Sequence, residues 1–222
     1  MEFKEPNFQD LHPEAGSTYS PDEEQMHFIT HLAGVIFILL FGHLLWVSSQ
    51  LSPALQIGIA VYVVTFFIVF CASSIYHHHY FEKHRKQLRK LDHIAIYFFI
   101  AGSNTPYLLG YSQGISGILF LFLMWSLVIF GSWVKWREVK IADWISLLYY
   151  LFMGWLGVVT MYLIFNEVKT NTILLIVLGG LLYSVGAYFY KNDSIKWYHS
   201  IWHVFVLCAA ISHFAAIYLQ IL

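Results

Sequence analysis

Residues 76 to 93 read YHHHYFEKHRKQLRKLDH: five histidines, five lysines or arginines and one aspartate, set between two long apolar runs. Apolar runs on both sides make this stretch a loop at a membrane edge. Its positive charge says which edge, because Lys and Arg near short loops stay on the cytoplasmic side. The run before it therefore ends in the cytoplasm and the run after it begins there.

The same reading extends to the whole chain. Of its 222 residues 59% are hydrophobic and only 11% charged, against roughly 25% charged for an average soluble domain. A bilayer core about 30 Å thick takes about 20 apolar residues per helix, at a rise of about 1.5 Å each. Seven segments qualify, near residues 28–49, 54–77, 93–110, 115–134, 142–164, 172–190 and 198–221. Pro106 inside the third is no objection, since neighbouring helices can satisfy the backbone groups it frees. The expected fold is all-α, a polytopic seven-transmembrane helix bundle.

With seven spans, eleven Lys and Arg fall on one side and only Lys169 on the other. That asymmetry predicts a cytoplasmic N-terminus and an outside C-terminus. Residues 1–27 are polar, with Pro6, Pro13, Pro21 and Gly16 breaking any helix. They read as a flexible cytosolic leader, not a signal peptide, leaving residues 28–222 as the transmembrane domain. Cys71 and Cys208 lie inside apolar segments and read as reduced packing residues. The run KHRKQLRK serves as a topology signal, and each of its charges near anionic lipid contributes about 1 kcal/mol.

Topology then places side chains in depth. His77, His78 and His79 end the second span, Asp92 and His93 open the third, and His199 and His203 open the seventh. All sit at the cytoplasmic edge. His199 and His203 are four apart and share a helix face. That spacing suits a metal pair and equally two hydrogen-bonded packing residues. A third histidine at the same depth, and the cost of unpaired polar groups in a membrane, favour the metal. Three imidazoles around Zn²⁺ with a fourth position left to water is the catalytic pattern, and water so placed has its pKa lowered to about 7.

Asp92 is a candidate to orient that water or take its proton, with a helix N-cap as the alternative. Ser73, four residues before His77, can donate to a lipid carbonyl or bond back to its own helix. Ser74 and His78 repeat the same spacing, so spacing cannot choose between the pairs.

The chain resembles hemolysin III-like proteins, relatives of the progestin and adipoQ receptors and, more distantly, of the alkaline ceramidases. The resemblance rests on EQMHFITH (Glu24 to His31), on Ser73 to His77 with LDHIAIYFFIAGSNTP ending at Pro106, and on HSIWHVFV (His199 to Val206) with His213-Phe214. It implies that His77, His199 and His203 carry zinc, with Asp92 and Ser73 around the metal's water. It also implies a membrane lipid as substrate or ligand and a bacterial inner (plasma) membrane as location. Two positions depart from the pattern: His27 stands where Asn is usual, and Asn104 where an aromatic residue is common. Glu24, His27 and His31 share a helical face, read here as interfacial polar packing, with an outer metal site as the alternative. His43 and His213 lie deep in their spans and read as buried hydrogen-bonding residues.

The expected function is an intramembrane zinc-dependent hydrolase acting on a lipid amide or ester. The alternative is a non-catalytic, zinc-containing sensor of membrane fluidity. A pore ranks lower, because the apolar spans lack a polar stripe. A retinal protein needs an intramembrane lysine, which the last span lacks. A zinc transporter needs ligands stepped across the membrane, whereas these gather at one face.

Overall fold

The computed structural model describes residues 19–48, 52–78, 84–139 and 141–222. Among them the chain forms eight helical segments: α1 (Pro21–Ser48), α2 (Pro53–His77), α3 (Arg85–Tyr111), α4 (Ile115–Trp136), α5 (Asp143–Trp155), α6 (Gly157–Leu163), α7 (Thr170–Lys191) and α8 (Tyr198–Ile221). α5 and α6 are one span broken at Leu156, so the bundle has seven spans. The break falls between Gly154 and Gly157, weak helix formers, where the Leu156 carbonyl accepts from both Val159 (2.9 Å) and Thr160 (3.2 Å).

Six of the spans are long and apolar enough to cross a bilayer by composition; α3 is not among them. At 27 residues it is as long as the others, but its first turns carry Arg85, Lys86, Arg89 and Lys90. The bundle's outside is apolar, with Leu39, Ile118, Phe122, Ile129 and Phe130 all more than half exposed, a surface suited to lipid and not to water.

Two helices start earlier than hydropathy predicts. α1 begins at Pro21, not near residue 28, so the segment expected as the leader's end is helical. Pro21 takes the first helical position, where its missing N–H costs nothing. Ser20 and Glu23 close a capping box, the Ser20 hydroxyl and amide donating to the Glu23 carboxylate at 2.8 and 3.1 Å. Residues 1–18 of the expected leader lie outside the described residues. α3 begins at Arg85, not near residue 93, because Lys, Arg, Gln and Leu are good helix formers. Asp92 is consequently well inside a helix, which removes its reading as an N-cap.

Around the bundle α1 packs between α2 and α8, α2 packs on α3, α7 on α8, α4 lies against α3, and α5 bridges α3 and α7. α2 and α3 approach most closely. A Cβ on Gly58 would stand 2.7 Å from the Pro106 Cα, and one on Gly102 would overlap Thr65. The same seam holds an aromatic stack of Tyr62, Phe66, Phe70 and Phe99, whose ring pairs each add about 0.5–1.5 kcal/mol beyond area burial. By contrast α3 and α8 face each other with little direct contact. The space between them is a cavity.

Candidate metal centre

Four elements converge at one end of the bundle: the start of α1, the end of α2, and the starts of α3 and α8. There a ligand atom from each of His27, His77, His199 and His203 lies within 4.8 Å of the others. All four are buried, His27 at 0% exposure, His77 and His203 at 2%, and His199 at 8%. The triplet of histidines thus resolves: His77 faces this cluster, while Ser74 turns away to donate to the Phe70 carbonyl at 2.8 Å.

Two of the rings are held from behind. His77 Nδ1 lies 2.6 Å from Glu24 Oε2. A carboxylate only accepts, so Nδ1 carries the proton and Nε2 is left bare. Glu24 is fixed in turn by an ion pair with Arg85. His199 Nδ1 lies 2.9 Å from the Tyr19 hydroxyl, which itself donates to Asp193 at 2.8 Å. With its one proton given to Asp193, Tyr19 accepts from Nδ1–H, and Nε2 of His199 is again the bare nitrogen. An imidazole whose far nitrogen donates to a carboxylate or hydroxyl is the usual second shell of a metal ligand.

Burial pushes the Tyr19 phenol well above its ordinary range, and Asp193 beside it pushes further. Asp193 feels burial as an upward push, outweighed by the neighbouring His199 imidazole and the hydrogen bond from Tyr19, which hold its carboxyl below the ordinary value. The Tyr19 bridge is therefore a neutral phenol on a carboxylate.

α1 also fixes the start of α8. Glu23 Oε1 accepts the Trp197 amide at 2.8 Å, and Trp197 sits at φ 69°, a left-handed conformation costing of order 1–3 kcal/mol for a non-glycine residue. That turn aims His199 at the cluster.

A test of fit to a metal ion comes from the nitrogens left over. Among the described residues both nitrogens of His27, Nε2 of His77 and Nδ1 of His203 are buried without a hydrogen-bond partner. Each such group costs about 1–3 kcal/mol. Four converging imidazoles with this many orphaned nitrogens are a donor set that can hold a metal ion, and an all-nitrogen set suits zinc.

His199 and His203, but not His27 or His77, also line a cavity of about 670 Å³. Its near end holds Ser73 and Asp92. Neither belongs to the group of converging ligand atoms. Deeper walls are apolar, from Val69, Phe99, Met161 and Val206. Asn104 sits on this wall, its amide satisfied by donation to the Ile100 carbonyl (2.9 Å) and acceptance from Thr160 (2.8 Å), and so ties α3 to α6.

Several polar residues sit elsewhere than their sequence positions suggest. His27 joins the cluster instead of serving as interfacial packing, and Glu24 orients His77. His31 packs edge-on against His203, ring centroids 4.1 Å apart. His213 has its Nε2 buried, as expected, and lines the cavity, its ring filling space that a Cβ on Gly179 would occupy. His43 and Cys208 are exposed on the bundle's outside.

Fold and site together define an integral membrane protein of seven helical spans with a buried, metal-capable imidazole cluster at one end. The chain belongs to the haemolysin-III related family, whose model matches residues 19–214. It is similar to the hemolysin-3 homolog of Bacillus subtilis (strain 168), 33% identical over 187 residues that cover 83% of this chain and 88% of that protein. Hemolysin-3 of Bacillus cereus is 34% identical over 190 residues, covering 83% and 85%. Human monocyte to macrophage differentiation factor is 31% identical over 128 residues, covering 57% and 52%.

Proposed function

We propose that this chain is an intramembrane zinc-dependent hydrolase that takes a lipid amide or ester into its cavity, in a bacterial inner membrane with the site at the cytoplasmic face. The observation that carries the reading is a shared wall: His199 and His203 belong to the imidazole cluster and line the same cavity as Ser73 and Asp92. At about 670 Å³ the cavity is within the range of about 300–1,000 Å³ typical of ligand pockets, with a polar end at the cluster and an apolar depth for an acyl chain.

When bound, zinc supplies Lewis acidity and a water acidic enough to react near neutral pH. The protein's own groups do the rest. Glu24 and Tyr19 hold His77 and His199 in the tautomer that presents Nε2 to the ion. The Ser73 hydroxyl is placed to donate to a substrate carbonyl oxygen, and the Asp92 carboxylate to hold a water or receive its proton. Apolar walls exclude bulk water, which strengthens these polar contacts.

A second reading has its own observation. His27 supplies a fourth imidazole, and four protein ligands are the mark of a structural zinc site. Under that reading the chain is a non-catalytic sensor whose conformation responds to lipid in the cavity. Purified, zinc-loaded protein given ceramide-like and phospholipid substrates separates the two. The hydrolase reading predicts fatty-acid release that His203→Ala abolishes and that a zinc-retaining Ser73→Ala/Asp92→Asn variant loses; equal turnover in wild type and His203→Ala contradicts it.

A further inference from the structure

The four rings of the cluster are arranged almost evenly. From His27 the ring centroids of His77, His199 and His203 are 4.7, 4.8 and 4.9 Å away. The remaining separations are 5.6 Å for His77 to His199, 4.9 Å for His77 to His203 and 4.7 Å for His199 to His203. These six distances are the edges of a slightly irregular tetrahedron. Tetrahedral zinc with Zn–N of about 2.0–2.1 Å puts imidazole centroids roughly 5 Å apart. No face of the figure stands out as the open one.

We propose that His27 is the fourth ligand of this centre, so that the resting ion is held in a closed four-imidazole shell and hydrolysis waits on His27 leaving it. The inference rests on the metal-centre reading above and goes beyond it in saying who holds the fourth position. His27 is wholly buried, and both its nitrogens are without a hydrogen-bond partner among the described residues. Its nearest carboxylate oxygen, Oε2 of Glu24, is 3.8 Å from Nδ1 and already engaged by His77, while Arg85 holds Oε1. A role as a packing residue leaves two orphaned polar atoms in a membrane protein's interior, whereas ligation satisfies one of them.

Placement adds a consequence. His77 comes from α2 and His199 and His203 from α8, while His27 is the cluster's one member on α1. It does not line the cavity, so a lipid cannot displace it by direct contact there. Release requires the start of α1 to shift, and that segment is held by Glu23 on Trp197 and Tyr19 on His199 and Asp193. The vacancy that hydrolysis needs is thus controlled by the seating of α1 against the α7–α8 turn.

X-ray absorption on the zinc-loaded, full-length protein counts the coordinated imidazoles directly, with a competing chelator giving zinc affinity. Four imidazoles are expected in the wild type and three in His27→Asn. Affinity should fall about 100-fold or more, since losing even an outer-shell partner costs about 10–100-fold. Three imidazoles in the wild type overturns the proposal and leaves the metal centre standing. Unchanged affinity in a folded His27→Asn protein also overturns it. A wild type that binds no zinc removes the metal centre and this inference together.

Discussion

Tyr19, just ahead of the first helix, places its hydroxyl 2.9 Å from Nδ1 of His199, 180 positions further along the chain. Its own proton goes to Asp193, so the contact fixes which nitrogen of His199 is free. Tyr19→Phe removes the acceptor, and Asp193→Ala removes the carboxylate that accepts from the phenol. Each variant is expected to lower zinc affinity by about 10–100-fold, measured by chelator competition. The same affinity in both variants as in wild type shows that Tyr19 and Asp193 do not orient His199 toward a metal ion.

Glu24 carries a heavier load, because it accepts from His77 at 2.6 Å and pairs with Arg85 while its side chain is only 11% exposed. Glu24→Ala removes the carboxylate that His77 and Arg85 share, and breaking a fully buried pair costs about 3–5 kcal/mol. Arg85 is also only 11% exposed, so a loss of about 3 kcal/mol is expected, read from unfolding in mild detergent. Glu24→Gln keeps a hydrogen-bond acceptor and should lose less. Equal stability of all three proteins counts against the role assigned to Glu24.

Close contact of α2 and α3 at Gly102 makes a packing prediction. A Cβ there overlaps Thr65, so Gly102→Ala should destabilise the bundle by about 1–3 kcal/mol, the usual cost of overpacking. Adding Thr65→Ala removes the hydroxyl and methyl contacts but leaves the Thr65 Cβ 2.9 Å away, so the double variant should recover part of the loss, the non-additivity of residues in contact. Thermal unfolding of the two single variants and the double variant reads the effect.

Glu138 joins the loop after α4 to the start of α3 through Lys90 and, at 3.0 Å, Lys86. Hydrogen bonds from Lys90 and then Lys86 hold its carboxyl below the ordinary 4.5. A depressed folded value means that the contribution is present above pH 4.5 and is lost as pH falls through the lower, folded value. Side-chain carboxyl NMR should show Glu138 titrating below 4.5, and returning to about 4.5 in Lys86→Gln/Lys90→Gln. The pair is exposed, so added salt should weaken it.

Hydropathy and charge gave the spans and their number, because bilayer thickness dictates both. The basic start of α3 escaped that reading, since a helix extending beyond the apolar layer looks like a loop to hydropathy. His77, His199 and His203 were visible as one depth on two pieces of chain. His27 was visible as part of a polar helical face with Glu24 and His31, with an outer metal site as its alternative reading. Its membership of the cluster depends on α1 beginning at Pro21 and packing between α2 and α8, a neighbour relation that no local pattern encodes. The Tyr19 bridge was invisible for the same reason, as it falls in a segment that composition assigns to a flexible leader.

Every functional role assigned to the cluster requires its four imidazoles to hold an ion. Elemental analysis of the purified full chain, beside His77→Ala and His203→Ala purified identically, tests this directly. About one zinc per wild-type chain and a large loss in each variant is the predicted result. Metal-free wild type after zinc loading, or the same zinc content in all three proteins, contradicts it.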